Sequence, residues 1–190
     1  MKVLKKILIT LLVLGALFYF VGMPYLQGYT KKYSPETTTT YNFDNTELKV
    51  YYSSPSKKNR VIFGALVPYG KVWRTGANEP TTFTTADNIK VIDKTLPAGT
   101  YSLWTIPNKE RWTIIFNKEV PDWGVTILSG GKETTRNEEA DVLQVEVPVR
   151  KLVQPQENFT ISFEETEQLY LSFAWDMVKV NVPLGKLTQG

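Results

Sequence analysis

The chain has 190 residues, a net charge of +3, and neither Cys nor His. That length suits one domain of ordinary size with a substantial core, and the missing residue types exclude thiol nucleophiles, disulfides, the commonest zinc ligands and any mechanism that needs an imidazole base. The positive charge is local: residues 1–36 hold Lys2, Lys5, Lys6, Lys31 and Lys32 against Glu36, so 17 of the 22 basic and 18 of the 19 acidic side chains remain for the rest. A protein that neutralises phosphates concentrates positive charge on its folded domain, so no nucleic-acid partner is expected.

From Ile7 to Met23 there are 17 consecutive residues without a charge, and Pro24, Tyr25 and Leu26 extend the run to 20. At about 1.5 Å per residue this spans roughly the 30 Å hydrocarbon core of a bilayer. Lys2, Lys5 and Lys6 precede it, which by the positive-inside tendency keeps the N-terminus cytoplasmic. A cleaved signal peptide shares these features. The bulky Phe18, Tyr19, Phe20, Tyr25 and Leu26 stand where a small-residue cleavage site belongs, so an uncleaved anchor is the favoured reading. A lipoprotein is excluded, since lipidation at a signal-peptide boundary needs a Cys. The expected organisation is a cytoplasmic stub at 1–6, a transmembrane signal-anchor at 7–26, a tether at 27–40 and a β-domain at 41–188. The tether rests on Ser34, Pro35 and the four threonines Thr37 to Thr40. The expected location is the inner (cytoplasmic) membrane, single-pass, with the C-terminal domain in the periplasm.

Beyond the tether the hydrophobic pattern has period two, the mark of half-buried strands. Leu48, Val50 and Tyr52 alternate with Lys49 and Tyr51, and Trp112, Ile114 and Phe116 with Thr113 and Ile115. Leu143, Val145 and Val147 oppose Gln144 and Glu146, and Phe159, Ile161 and Phe163 oppose Thr160, Ser162 and Glu164. The pattern returns in Leu169, Leu171, Phe173 and Trp175, then in Val178, Val180, Val182 and Leu184. Turn chemistry separates these runs at Pro68-Tyr69-Gly70, Asp87-Asn88 and Pro97-Ala98-Gly99, and Pro107–Glu110 joins 101–106 to 111–117 as a hairpin. The predicted fold is all-β: an antiparallel two-sheet β-sandwich or jelly-roll-like arrangement of roughly eight or nine strands, preceded by one N-terminal transmembrane helix. The interval from Pro121 to Ala140, with Gly124, Gly130 and Gly131, is long for a connection. Three readings stay open for it: a functional loop, a disordered excursion, or one short helix around Asn137 to Ala140.

The run Leu66-Val67-Pro68-Tyr69-Gly70-Lys71-Val72-Trp73-Arg74-Thr75-Gly76-Ala77-Asn78-Glu79 closely resembles the signature of a bacterial family, the domain-of-unknown-function 2911 family. The likeness continues through Pro97–Leu103, Trp112–Lys118 and Trp123-Gly124, over roughly residues 47–184. The resemblance implies a β-rich fold and an envelope or secreted location in Gram-negative bacteria, and it names no activity. Family members commonly carry Arg where this chain has Ser54, often an aromatic near Thr126, and often a cleavable signal.

The densest polar cluster is the signature itself. Tyr69, Lys71, Arg74, Asn78 and Glu79 offer a planar cationic fork, an amide and a carboxylate suited to an anionic or polyhydroxylated ligand. The same residues also suit a fold-specifying corner in which Trp73 fills the core and Arg74 pairs with an acid. Trp104, Trp112 and Trp175 read as core, whereas Trp123 is the aromatic candidate for the surface. Any hydrolysis would rest on carboxylates, Lys or Tyr, with Glu79 and Asp122 the first pair for a glycosidase. No metal or cofactor is expected, since EF-hand and phosphate-loop spacings are absent. Two functions follow: a binding or assembly module of the cell envelope with a protein or glycan partner, or a hydrolase or lyase acting on envelope glycan or peptide through Lys71, Arg74, Asn78 and Glu79.

Overall fold

The computed structural model describes residues 2–126, 129 and 133–187. Gly130, Gly131 and Thr188, which enter the expectations above, lie outside them. The chain divides into two compact units, a helical one ending at Tyr33 and a second beginning at Ser34.

The first unit is a continuous helix, Lys2–Tyr33, long and apolar enough to cross a membrane; none of its most apolar stretch is buried. It comprises α1 (Lys2–Leu17), a π-helical turn (Phe18–Gly22) and α2 (Met23–Tyr33). Proline explains the π turn. Pro24 has no N–H, and its ring would collide with the carbonyl four residues earlier in a regular helix. Widening the preceding turn places the Met23 N–H on the Phe18 carbonyl instead. Lys31 and Lys32 occupy the last turn, where they complement the helix dipole.

The predicted tether is not extended chain. Residues 28–33 continue the helix, and Thr37–Thr40 lie within the first strand, because the threonines are β-branched and find a complete partner in the next strand. The strands are β1 (Glu36–Phe43), β2 (Thr46–Ser53), β3 (Thr82–Thr85), β4 (Ile89–Val91), β5 (Lys94–Leu96), β6 (Gly99–Ile106), β7 (Arg111–Asn117), β8 (Asp141–Glu165) and β9 (Leu169–Lys186). They form one antiparallel order, β1-β2-β3-β6-β7-β8-β9-β4-β5. The all-β class expected from the alternation is therefore the class observed. The Asp44-Asn45 turn between β1 and β2 has both residues at positive φ, 49° and 71°, the mirror-image turn that matches strand twist.

Strand β8 is the pivot of the fold. Its first part, to Pro148, pairs with β7, and from Val149 onward it pairs with β9. Its second part also crosses β1 and the chain after β2. Thr39 Oγ1 donates to Ile161 O at 3.3 Å, Phe159 N donates to Pro55 O at 2.9 Å, and the Tyr52 and Phe159 rings meet edge-to-face at 5.9 Å. The sheet thus closes over a core that includes Leu48, Val50, Phe83, Leu103, Phe116 and Phe173. Trp104 and Ile115, paired opposite each other, are fully buried yet stand outside that core cluster. They lie on the reverse face of β6 and β7, which simple alternation assigns to water. The segment after β7 is tied to that face, since Trp104 Nε1 donates to Ser102 Oγ and Ser102 Oγ to Glu119 O.

Candidate functional site

The signature lies between β2 and β3 and divides into a buried inner half and an exposed outer half. The inner half begins where Trp73 exchanges backbone hydrogen bonds with Thr105 at the end of β6, at 2.7 and 2.9 Å. Its indole joins Phe63, Trp112, Phe159 and Trp175 in one aromatic cluster and stacks on Trp175 at 6.0 Å with 16° between planes. Trp104, Trp112 and Trp175 are all buried, as expected; Trp112 and Trp175 belong to the core cluster, whereas Trp104 is covered on the reverse face of β6.

Beyond Trp73 the backbone turns through the left-handed region at Thr75 (φ 58°), Gly76 (φ 146°) and Asn78 (φ 56°). A β-branched residue there is an outlier, held only where its surroundings over-determine it. Thr75 is completely buried, its hydroxyl lies 3.2 Å from Thr105 Oγ1, and its carbonyl accepts from Thr81 Oγ1 at 2.5 Å. At Gly76 a side chain would meet the Ser53 carbonyl at 3.0 Å. Asn78 is buried, and its amide donates to Ser34 O at 3.4 Å.

Arg74 is largely enclosed. Burial lowers its guanidinium below the ordinary value, and the charge of Glu79 acts in the opposite direction. Its Nε is buried without a hydrogen-bond partner among the described residues. Gly124 rests on its stem so closely that a β-carbon there would sit 2.8 Å from Arg74 Cδ and 3.4 Å from Pro80 Cγ. The loop after Pro121 thereby covers Arg74, and its own backbone folds back on itself. Thr126 N donates to Glu133 O at 2.9 Å, Thr135 N to Gly124 O at 3.2 Å, and Thr135 Oγ1 to Trp123 O at 2.7 Å. The interval ends in a 3-10 turn, Glu138–Ala140, capped by Asn137, which is the short helical reading among those left open. Trp123 is half-buried and Asp122 is exposed.

The outer half is built differently. Tyr69 is 37% exposed and lies against Gly64, where a β-carbon would come within 2.7 Å of its ring. Gly64 has φ +90°, so both backbone and space require glycine. Gly70 N donates to Pro107 O at 2.9 Å, fixing the outer half to the β6–β7 turn. Tyr69, Asn108, Lys109 and Glu110 line a recess of about 390 Å³, and Lys71 is exposed two residues from Tyr69. Within the predicted set, Arg74 and Glu79 are coupled in the inner half, Asn78 is engaged by Ser34, and Tyr69 and Lys71 belong to the outer half. Asn108, Lys109 and Glu110 were legible from sequence only as a turn, because nothing local shows that Tyr69 comes to face them. Ser54, where the family commonly has Arg, is buried and donates to Phe159 O at 2.7 Å, so this chain has a hydroxyl bridge to β8 at that position.

The model of the family of proteins of unknown function, DUF2911, matches residues 34–184. The chain belongs to this family. No curated protein and no solved structure matches it. In this DUF2911 chain the match begins at the boundary between the helical unit and the β-domain, so the whole strand ladder up to Leu184 is the family's portion.

Proposed function

We propose that this DUF2911 chain is a single-pass protein of the inner membrane whose periplasmic β-domain is a binding or assembly module of the cell envelope. The observation that carries the reading is the Lys2–Tyr33 helix, whose most apolar stretch has a mean hydropathy of 2.3 and no burial against its own chain. Apolar surface on that scale is stable in lipid and costly in water. Lys2, Lys5 and Lys6 before it favour a cytoplasmic N-terminus. The ligand-facing part of the domain is the outer signature, with Tyr69 and Lys71 beside Asn108, Lys109 and Glu110. One aromatic face, one amide and charges of both signs around a shallow recess suit a glycan or a peptide. Arg74, Asn78 and Glu79 belong to the inner half of the same signature, and Trp123 lies in the loop that covers Arg74.

Fusion of a C-terminal alkaline phosphatase, which is active only outside the cytoplasm, tests the topology in membrane fractions. Strong activity in the membrane pellet is expected, and activity of a cytoplasm-dependent reporter in its place would overturn the orientation. For the recess, the full chain in mild detergent is presented to glycan and peptide arrays beside Tyr69→Ala. A ligand lost in that variant is the expected result, and ligands bound equally by both proteins would remove the recess from the proposal.

A further inference from the structure

A second surface of the β-domain lies where the pairing of β8 with β9 breaks. Lys151 is opposite Val178 and Gln156 opposite Asp176, so the four residues Leu152–Pro155 face Met177 alone. Such bulges re-aim side chains and are built features of a sheet. This one lifts Val153 to 97% exposure, the highest of any large apolar side chain described, and Met177 across from it is also exposed. The 57–60 turn abuts the same corner, since Lys57 pairs with Asp176 and Lys57 N donates to Glu157 O at 2.7 Å. Just beyond it Val61 is 69% exposed, and the exposed Leu66 bonds back to it.

The charges around these apolar tips are mostly basic. Arg150 and Lys151 are exposed at the base of the bulge, with no carboxylate partner among the described residues. The Arg60 guanidinium donates to the carbonyls of Lys57 and Ser56 at 2.9 and 2.5 Å, which holds the side chain in place without neutralising it. Of the acids at this corner, Asp176 is engaged by Lys57 and Glu157 by the Lys58 backbone N–H at 2.9 Å, and Glu110, whose backbone carbonyl accepts from Val149 N at 2.8 Å, flanks the base of the bulge.

We infer that this corner docks on the bilayer surface, with Val153 inserted among anionic phospholipid headgroups and Arg150, Lys151 and Arg60 at the phosphate level. An apolar tip ringed by cations fits the interface of an anionic membrane, where each basic residue contributes about 1 kcal/mol. The inference rests on the membrane-anchored reading, which supplies a bilayer within reach. It adds a lipid contact made by the β-domain itself.

The chain has no cysteine, so Val153→Cys and, as a control in the β6–β7 turn, Asn108→Cys each create a single site for an environment-sensitive fluorophore. Full-length labelled protein is reconstituted in vesicles of phosphatidylcholine, alone or mixed in equal parts with phosphatidylglycerol, containing lipids with a quencher at the headgroup–acyl boundary. The probe at 153 is expected to be quenched in the anionic vesicles and the probe at 108 to stay wet. Arg150→Gln and Lys151→Gln, each of which removes one positive charge, are expected to lower the docked-to-undocked ratio about five-fold apiece. A probe at 153 as wet as that at 108, in protein that floats with the vesicles, would overturn the inference and leave the anchor intact. Equal quenching at both positions, or quenching indifferent to anionic lipid, would overturn it as well. Protein that does not float with the vesicles would overturn both readings.

Discussion

The two halves of the signature share fourteen residues of sequence but not one physical role. From Trp73 to Asn78 the chain packs into the fold, half-buried at Trp73, Arg74 and Ala77 and buried at Thr75, Gly76 and Asn78, with its indole among four other aromatic rings and left-handed backbone at those three buried positions. From Pro68 to Lys71 it lies outside, with a ring resting on one glycine and a recess beside a hairpin turn. A dense motif therefore need not be a dense site. Its inner half specifies how the segment between β2 and β3 is held, and its outer half is what a partner can touch.

The sharpest way to break this division is at Trp73. Trp73→Ala should cost about 3–5 kcal/mol, the range for removing a large aromatic from a core, and would lower the denaturation midpoint strongly in urea titrations of the full chain in detergent. A change below about 0.5 kcal/mol would mean that the inner half is not structural. Gly76→Ala comes next. Strain at φ 146° alone should cost about 1–3 kcal/mol, with more from the contact to Ser53 O, and thermal unfolding by circular dichroism reads it directly.

A smaller effect is expected at alkaline pH. Burial raises the pKa of Tyr52, packed on Phe159, and of Tyr101 above the ordinary 10.0. The folded state then holds these protons more tightly than the unfolded state. Their contribution is complete below about pH 10 and is lost as pH rises through the folded-state values. Stability measured from pH 8 upward should stay level and then fall, and Tyr52→Phe should reduce the fall. A profile unchanged in Tyr52→Phe would remove Tyr52 from this account. The smallest effect belongs to the outer half: Lys71→Ala should change stability by no more than about 0.5 kcal/mol, so a loss of partner binding in that variant would be a direct effect on the surface.

Period-two alternation was enough to read most of the ladder, because a strand with one wet face displays its burial in its residue order. Where both faces are covered, that signal fails. Ile115 occupies a position that alternation assigns to solvent, yet it is fully buried on the reverse of β7. The tether failed for a related reason. A run of Ser, Pro and Thr has the composition of a linker, but a β-branched edge strand has it too, and only the presence of β2 selects the strand. The Asp44-Asn45 hairpin carried a readable signal in its two adjacent turn residues.

Of the candidate site, the amino-acid order supplied the residue types and their clustering. It could not supply the partition, since Arg74 comes under Gly124 through a contact across fifty positions, and Tyr69 comes beside Asn108 across thirty-nine. The sequence by itself determined the apolar helix, the antiparallel class and the family, because hydrophobic length, alternation and a contiguous motif are local properties. Tertiary structure alone decided which half of the motif is buried, what covers Arg74, and where the β8 bulge projects Val153, because each depends on how distant strands register against one another.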